Sequence, residues 1–273
     1  MPELPEVETI ARDVRPDVEG RRILRARVLK PDILRKVTPR AFERRLEGRL
    51  VTAVFRRAKH VVMTLDDGDR VIVQPGMTGS LHIANGVTNP DPYVTILFAL
   101  DSGKRLVHRD VRRIGAVYLH GPEEWAAYDR NLGPEPLEPA FTPACLAEAL
   151  ANGRLAVKKA LMDQRRLAGV GNIYANEALW MARIDPSSEA RGISAAETKR
   201  LHRAIVDILR RAIRGRGTTV RDYRTGTGER GRFQSRLAVY GRDGRACRRC
   251  GRRIVLTHAI DARATYFCPG CQR

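Results

Sequence analysis

The chain opens Met1-Pro2-Glu3-Leu4-Pro5-Glu6-Val7-Glu8, and removal of Met1 would leave a proline with a free secondary amine followed at once by a carboxylate. A terminal amine titrates near ~8, so a useful fraction is unprotonated at neutral pH. A secondary amine that attacks an aldehyde-level carbon gives a cationic iminium, an electron sink for the neighbouring carbon, and Glu3 stands beside it to move protons. On its own a Met-Pro start has a plainer reading, in which Pro2 only permits methionine removal and Pro5 begins a helix. The far end of the chain favours the chemical one.

There, Cys247-Arg248-Arg249-Cys250 and Cys268-Pro269-Gly270-Cys271 are separated by 17 residues, which fits two thiolate knuckles closing one tetrahedral Zn2+ site. Four cysteines leave no open position for water, so the ion is expected to be structural. His258 reads as a polar hairpin residue and Cys145 as a small buried hydrophobe. Paired Cys-x-x-Cys motifs also point to metal thiolates in a reducing compartment over disulfides. Arg248, Arg249, Arg252, Arg253 and Arg263 surround the knot, which predicts a basic hairpin lying against a nucleic-acid backbone.

Charge supports that expectation. Fifty Lys+Arg against 31 Asp+Glu give +19, and residues 210–273 hold 17 arginines and no lysine against four acids, +13 of that total. A basic surface kept for solubility rarely concentrates charge in this way, and arginine suits bidentate phosphate contacts. With 273 residues and 43% hydrophobic content, the chain can hold two domains with real cores and is no disordered tail. No apolar run approaches the ~20 residues of a membrane span, and the acidic start lacks a signal-peptide layout. The expected location is cytoplasmic, and the default expectation is a monomer.

The catalytic start needs a platform. Val7, Ile10, Ala11, Val14 and Val18 follow helical spacing after Pro5, presenting the N-terminus at the mouth of a packed helix. A period of two then marks strands at Arg22–Leu29, Leu50–Arg56, Val61–Leu65, Arg70–Val73, Tyr93–Leu100, Arg105–Val107 and Ala116–Leu119, with Asp66-Asp67-Gly68 and Asp101-Ser102-Gly103 as hairpin turns. This predicts an antiparallel sandwich or barrel over residues 1–120. Prolines crowd 121–143, an interdomain linker. Helices are expected at Pro143–Ala151, Ala156–Leu167, Ile173–Ala182 and Ala195–Ile213, within a helical domain over 144–236 that ends in a Gly- and Arg-rich loop. A cysteine-bearing β-like unit fills 237–273. Gly169-Val170-Gly171 makes a tight interhelical turn with Asn172 at the next helix cap. No strand precedes it and a third glycine is missing, so it is not a dinucleotide loop.

Taken together, Pro2-Glu3, Arg57-Ala58-Lys59, Gly76-Met77-Thr78-Gly79-Ser80-Leu81, Asp110-Val111-Arg112-Arg113, Leu132-Gly133-Pro134-Glu135-Pro136-Leu137, Gly169 to Ala175 and the four cysteines resemble bacterial formamidopyrimidine-DNA glycosylases along essentially the whole chain. The related endonuclease-VIII-like enzymes share the architecture, but the Pro-Glu-Leu-Pro-Glu start is more similar to the formamidopyrimidine branch. The resemblance implies an α+β multidomain protein: an N-terminal helix with an antiparallel β-sandwich, a helix-two-turn-helix domain and a C-terminal β-hairpin zinc finger, with damaged or abasic double-stranded DNA held in a cleft between domains. It implies that Pro2 is the Schiff-base nucleophile at C1′ of a flipped nucleotide, with Glu3 as its proton donor. By the same resemblance Lys59 serves β-elimination and Arg263 serves δ-elimination as proton donors. Met77 and Arg112 resemble two members of a three-residue wedge that fills the gap left by the flipped base. Arg154, Lys158 and Asn172 are expected at phosphates.

Three departures fall in DNA-reading positions. Ile114 stands where the family usually has the phenylalanine of the wedge, Asp91-Pro92-Tyr93 replaces a His-Asp-His stretch, and the lesion-capping loop Thr225 to Phe233 carries arginine where a Gly-Tyr pair is often seen. The expected activity is a bifunctional glycosylase and abasic-site lyase acting on oxidised purines. The alternatives are a non-catalytic binder of bent or damaged DNA on the same scaffold, and a shift of substrate towards oxidised pyrimidines or abasic sites.

Overall fold

The structure, a computed structural model, describes residues 2–85, 91–151, 153–219 and 223–273. Helix α1 (Leu4–Val18) forms as the apolar spacing predicts, with Val7, Ile10, Ala11, Val14 and Val18 all buried. Pro5 lies in its first turn, where a missing N–H leaves no bond unmade. The eight strands that follow are β1 (Ile23–Val28), β2 (Val51–Arg57), β3 (His60–Leu65), β4 (Arg70–Gln74), β5 (Gly79–Asn85), β6 (Val94–Leu100), β7 (Lys104–Asp110) and β8 (Ala116–His120), with α2 (Pro39–Leu46) between β1 and β2. They form two four-stranded antiparallel sheets, ordered β1-β6-β7-β5 and β2-β3-β4-β8.

Both sheets face one core. Val54, Val61 and Met63 from one sheet meet Leu81, Ile96, Phe98 and Leu106 from the other, and Phe42 of α2 adds an edge-on contact with Phe98 at 6.3 Å. Helix α1 touches β2 and β3 of one sheet and β5 and β7 of the other, so the residues at its mouth are fixed by both layers. The expected turns at Gly68 and Gly103 are present, each glycine at positive φ.

Contacts divide the chain into two compact units, residues 1–130 with 215–232, and residues 131–214 with 233–273. This differs from the expected segments in two places. The start of the expected 121–143 linker is helix α3 (Pro122–Arg130), which lays Trp125 and Tyr128 on the sandwich through ring contacts with Phe55, His60 and Tyr118. The Gly- and Arg-rich loop 215–232, expected with the helical domain, belongs to the N-terminal unit instead. Carboxylates on α1 hold it there: Glu6 Oε1 accepts the Thr218 N–H at 2.7 Å, and Asp13 receives Arg216 Nη2 at 2.9 Å and 3.1 Å. Glycine is required at 217 (φ +80°), where a Cβ would lie 2.9 Å from Glu6 Oε1.

The second unit contains α4 (Pro143–Ala151), α5 (Val157–Met162), α6 (Asn172–Ala182), α7 (Ala195–Arg214) and the hairpin of β9 (Val255–Thr257) with β10 (Thr265–Phe267). Helix α7 buries Leu201, Ile205, Ile208, Leu209 and Ala212, the expected apolar face. Helix α5 stops at Met162, short of the expected Leu167. Gln164 diverts the chain, its amide nitrogen bonding the carbonyls of Met162 (2.9 Å) and Val170 (2.8 Å) and its oxygen accepting the Gly169 N–H at 2.8 Å. The apolar Leu167 and Ala168 are therefore buried in a stitched turn and not on a helix face. Among the described residues no helix is long and apolar enough to cross a membrane.

His108 on β7 is fully buried, with Nδ1 2.5 Å from Thr95 Oγ1 and Nε2 without a partner among the described residues. Burial, the dominant cause, pushes its pKa down to about 4. An unfolded histidine titrates near ~6.5, so this group's contribution is complete above that pH and is lost as pH falls towards 4, by roughly 3 kcal/mol. Urea unfolding from pH 7 to pH 4 should show stability falling through that window, and His108→Leu should remove about one proton's worth of the slope. An unchanged slope in the variant would assign the pH dependence to other groups.

Candidate functional site

Pro2 is buried at the mouth of α1, and Glu3, 2% exposed, is the residue that caps the helix. Glu6, one turn in, closes a capping box: its Oε2 accepts the Glu3 N–H at 2.9 Å while Oε1 holds Thr218. The backbone beside the proposed nucleophile is thus fixed by a buried carboxylate. Sequence reasoning missed Glu6, although its three-residue spacing from Glu3 is the capping-box signal.

Lys59 lies in the β2–β3 hairpin, where the register Arg57↔His60 leaves Ala58 and Lys59 as a two-residue turn. Ala58 adopts φ +51° with its side chain fully buried, a conformation that costs an L-residue roughly 1–2 kcal/mol. Lys59 is itself only 9% exposed. The flanking residues anchor the turn to α3: Arg57 Nε reaches Asp129 at 2.5 Å, and the ring nitrogen of His60 lies 3.1 Å from the Tyr128 hydroxyl. Helix α1, β2 and α3 therefore place the amine, the carboxylate and the lysine within one unit.

The expected wedge residues stand on two loops that converge on Asp110. This carboxylate is fully buried. It accepts the Thr78 hydroxyl and the Arg112 N–H (3.2 Å) on one oxygen and the Gly115 N–H (2.9 Å) on the other. Gly76 at φ +63° permits the close approach, since a Cβ there would lie 2.7 Å from the Gly115 nitrogen. The result is an outward display of apolar groups: Met77 is 38% exposed and Ile114 48%. Arg112 is exposed beside them, its Nη1 3.4 Å from Met77 Sδ. Exposed large aliphatic groups on braced loops can enter a base stack. Asp110 opens a motif noted in the sequence, but its bracing role is not legible there, because its partners come from positions 78, 112 and 115.

In the second unit the residues expected at phosphates separate. Arg154 is exposed in the bend between α4 and α5. Lys158 is a correction: its side chain is fully buried, and Nζ donates to the carbonyls of Arg263 and Ala264 (3.2 Å each) and to Thr265 Oγ1 (2.7 Å). With three protons committed it has none for a phosphate. Burial, the main cause, brings its pKa down to about 8. Asn172 is the first residue of α6 and not its cap, a place taken by Gly171, and its Nδ2 bonds the Ala264 carbonyl at 3.1 Å. Lys158 and Asn172 together grip the segment that presents the exposed Arg263.

The four cysteine sulfurs lie within 4.8 Å of one another, with Cys247–Cys271 at 3.9 Å and Cys250–Cys268 at 3.4 Å. Thiolates ~2.3 Å from a tetrahedral ion stand roughly 3.8 Å apart, so the set fits a metal. The Trp180 indole N–H and the Arg249 backbone N–H both point at Cys247 Sγ (3.4 Å). The chain leading into this unit is held by Glu177, a fully buried carboxylate on α6 that accepts the N–H groups of Ala238, Val239 and Tyr240 at 2.8–2.9 Å. Burial pushes its carboxyl above the ordinary value despite these bonds.

Comparison with known proteins agrees over the whole length. The profile of the formamidopyrimidine-DNA glycosylase N-terminal domain matches residues 1–117, and that of the H2TH domain of the same enzymes matches residues 132–224. Formamidopyrimidine-DNA glycosylase from Chloroflexus aurantiacus is 41% identical over 272 residues, covering 100% of this chain and 98% of the relative. That from Xanthomonas euvesicatoria is 45% identical, with 100% of both covered. The fold superimposes with a TM-score of 0.92 on a Lactococcus lactis FPG mutant in complex with Fapy-dG-containing DNA, at 30% identity and 100% coverage of both chains. A complex of the Lactococcus lactis protein with abasic-site DNA gives 0.91, again at 30% identity, with 99% of both covered.

Asp110→Asn tests the bracing of the wedge loops. The amide keeps the size of the carboxylate but turns an NH2 towards one of its donors, which should cost about 2 kcal/mol in chemical denaturation. Amide exchange in residues 75–78 and 111–115 should quicken. Wild-type stability and exchange in the variant would show that the loops are held by something else.

Proposed function

The chain belongs to the formamidopyrimidine-DNA glycosylase family, and from that premise we propose that it is a bifunctional DNA glycosylase and abasic-site lyase of base-excision repair. Its substrates are oxidised purines, formamidopyrimidine and 8-oxoguanine, in double-stranded DNA. The observation that carries this reading is the buried Pro2-Glu3 start of α1, locked by Glu6 in the same unit as the Lys59 turn.

With Met1 removed, the Pro2 nitrogen lone pair forms a bond to C1′ of the everted nucleotide. The glycosidic electron pair leaves with the base, which takes up the proton that the Pro2 nitrogen sheds on becoming a tertiary amine. The C1′–O4′ bond then opens to give the iminium, Glu3 supplying the proton that O4′ gains. The positive charge acidifies C2′. Loss of that proton, followed by departure of the 3′ phosphate with its C–O electron pair, breaks the strand on one side, with Lys59 giving a proton. A second elimination at C4′ and C5′ frees the 5′ phosphate, and Arg263 serves that step. Water then releases Pro2.

Met77, Arg112 and Ile114 fill the vacated stack, with an aliphatic tip at 114 in place of an aromatic one. Arg154 and Asn172 face the phosphates, while Lys158 holds the Arg263 segment. Cys247, Cys250, Cys268 and Cys271 hold one Zn2+, which cross-links the short finger and takes no part in the reaction. The enzyme works in the cytoplasm on nucleoid DNA.

A duplex panel carrying formamidopyrimidine, 8-oxoguanine, an oxidised pyrimidine or an abasic site tests the activity with wild type and Pro2→Gly. Wild type should release oxidised purines and cut the strand, and Pro2→Gly should lose base release by roughly 100-fold or more. Salt-dependent binding that leaves base and strand intact would establish the non-catalytic binder instead. Faster excision of the pyrimidine lesion would move the substrate class.

A further inference from the structure

Arg56, the penultimate residue of β2, carries a charge that the reaction as drawn does not use. Its side chain is 6% exposed. Nε donates to Glu8 Oε2 on α1 at 3.0 Å, and Nη1 donates to the Ala58 carbonyl at 3.1 Å. The other Glu8 oxygen takes Arg12 Nε at 2.6 Å. Burial alone would raise the Glu8 carboxyl, yet Arg12 and Arg56 hold it below its ordinary value, so the carboxylate is charged and the clamp is present at neutral pH.

The carbonyl that Arg56 grips belongs to the turn residue at φ +51°. That carbonyl shares one rigid peptide plane with the Lys59 N–H, so orienting it orients the Lys59 backbone. At its other end the guanidinium is tied to the helix that begins at Pro2-Glu3. A hairpin needing only a buried ion pair for stability could place that pair anywhere along β2. Here it bridges the two elements that carry the reacting groups, at the one peptide bond inside the turn.

We propose that Arg56 is a positioning residue for strand cleavage, setting the Ala58–Lys59 peptide against α1 so that Lys59 meets the sugar held on Pro2. The inference rests on the reading of Pro2 and Lys59 given above. It separates the two halves of the reaction. Attack on C1′ and release of the base need the amine and Glu3, whereas the bond from Arg56 to the Ala58 carbonyl acts on the turn that carries Lys59. Elimination needs Lys59 in register with the covalent sugar, and a displacement of about 1 Å at such a group costs on the order of 100-fold.

The test follows base release, the borohydride-trapped adduct and strand nicking in single turnover on a formamidopyrimidine duplex, for wild type, Arg56→Met and Arg56→Lys, with thermal unfolding of each. Arg56→Met should keep base release and adduct within about threefold of wild type while nicking of the formed adduct slows roughly 10- to 100-fold. Arg56→Lys, whose ammonium reaches one partner at a time, should fall between them. If Arg56→Met does not fold, Arg56→Gln is measured for the same ratio. Equal slowing of all three steps, or unchanged nicking, overturns the inference alone. A wild type that forms no adduct overturns the reading of Pro2 and this inference with it.

Discussion

Both oxygens of the buried Glu6 carboxylate are engaged by backbone N–H groups, one at Glu3 and one at Thr218, 212 residues further along the chain. Each such charge-assisted bond is worth roughly 1.5–3 kcal/mol, and losing the acceptor would strand two buried donors. This one side chain fixes where α1 begins and where the loop 215–232 docks. Asp13 and Tyr223 extend the same seam, the latter through a hydroxyl that donates to the Glu6 carbonyl at 3.3 Å. Because α1 rests on both sheets, the position of the chain's second residue is set by the whole sandwich. For the proposed role of Pro2 this constraint matters, since an amine that must meet one carbon gains from being held before the substrate arrives.

The second unit repeats the device with other residues. Polar side chains on buried helix faces reach out to the backbone of neighbouring loop and hairpin segments. Lys158 and Asn172 hold 263–265, Asn176 Oδ1 accepts the Tyr266 N–H at 2.8 Å, and Glu177 holds 238–240. The exposed side chains of these short loops thus stand on backbone tied to buried polar groups. Asp110 plays the same part for the loops that carry Met77, Arg112 and Ile114. Most of these bonds run to backbone groups, with the Thr265 and Thr78 hydroxyls as side-chain partners of Lys158 and Asp110. Its removal would unseat a loop without emptying the core.

Much of this was legible in the residues themselves. The spacing of Val7 to Val18, the period-two strands, the two cysteine pairs and the face of α7 are local patterns, and the structure carries each where it was read. The elements that were missed have weaker local signals. Strand β5 opens in the glycine-bounded stretch Gly76 to Ser80, which reads as a turn, and only its pairing with β7 makes it a strand. Helix α2 is short, and its Thr38-Pro39 start was the one available cue. Helix α3 hides in a proline-rich segment because its aromatic face packs on strands far away in sequence. Lys158 was misread for a physical reason: a lysine is ordinarily exposed, and nothing near it in sequence announces that residues 263–265 will supply three acceptors.

The central claim is that the secured amine of Pro2 is the nucleophile. It is tested most directly by reducing the reaction with borohydride on an abasic duplex and locating the sugar remnant by mass spectrometry of the digested protein. The account predicts a single adduct on the peptide that begins at Pro2. An adduct on a lysine such as Lys59, or no adduct from metal-loaded protein lacking Met1, would contradict it.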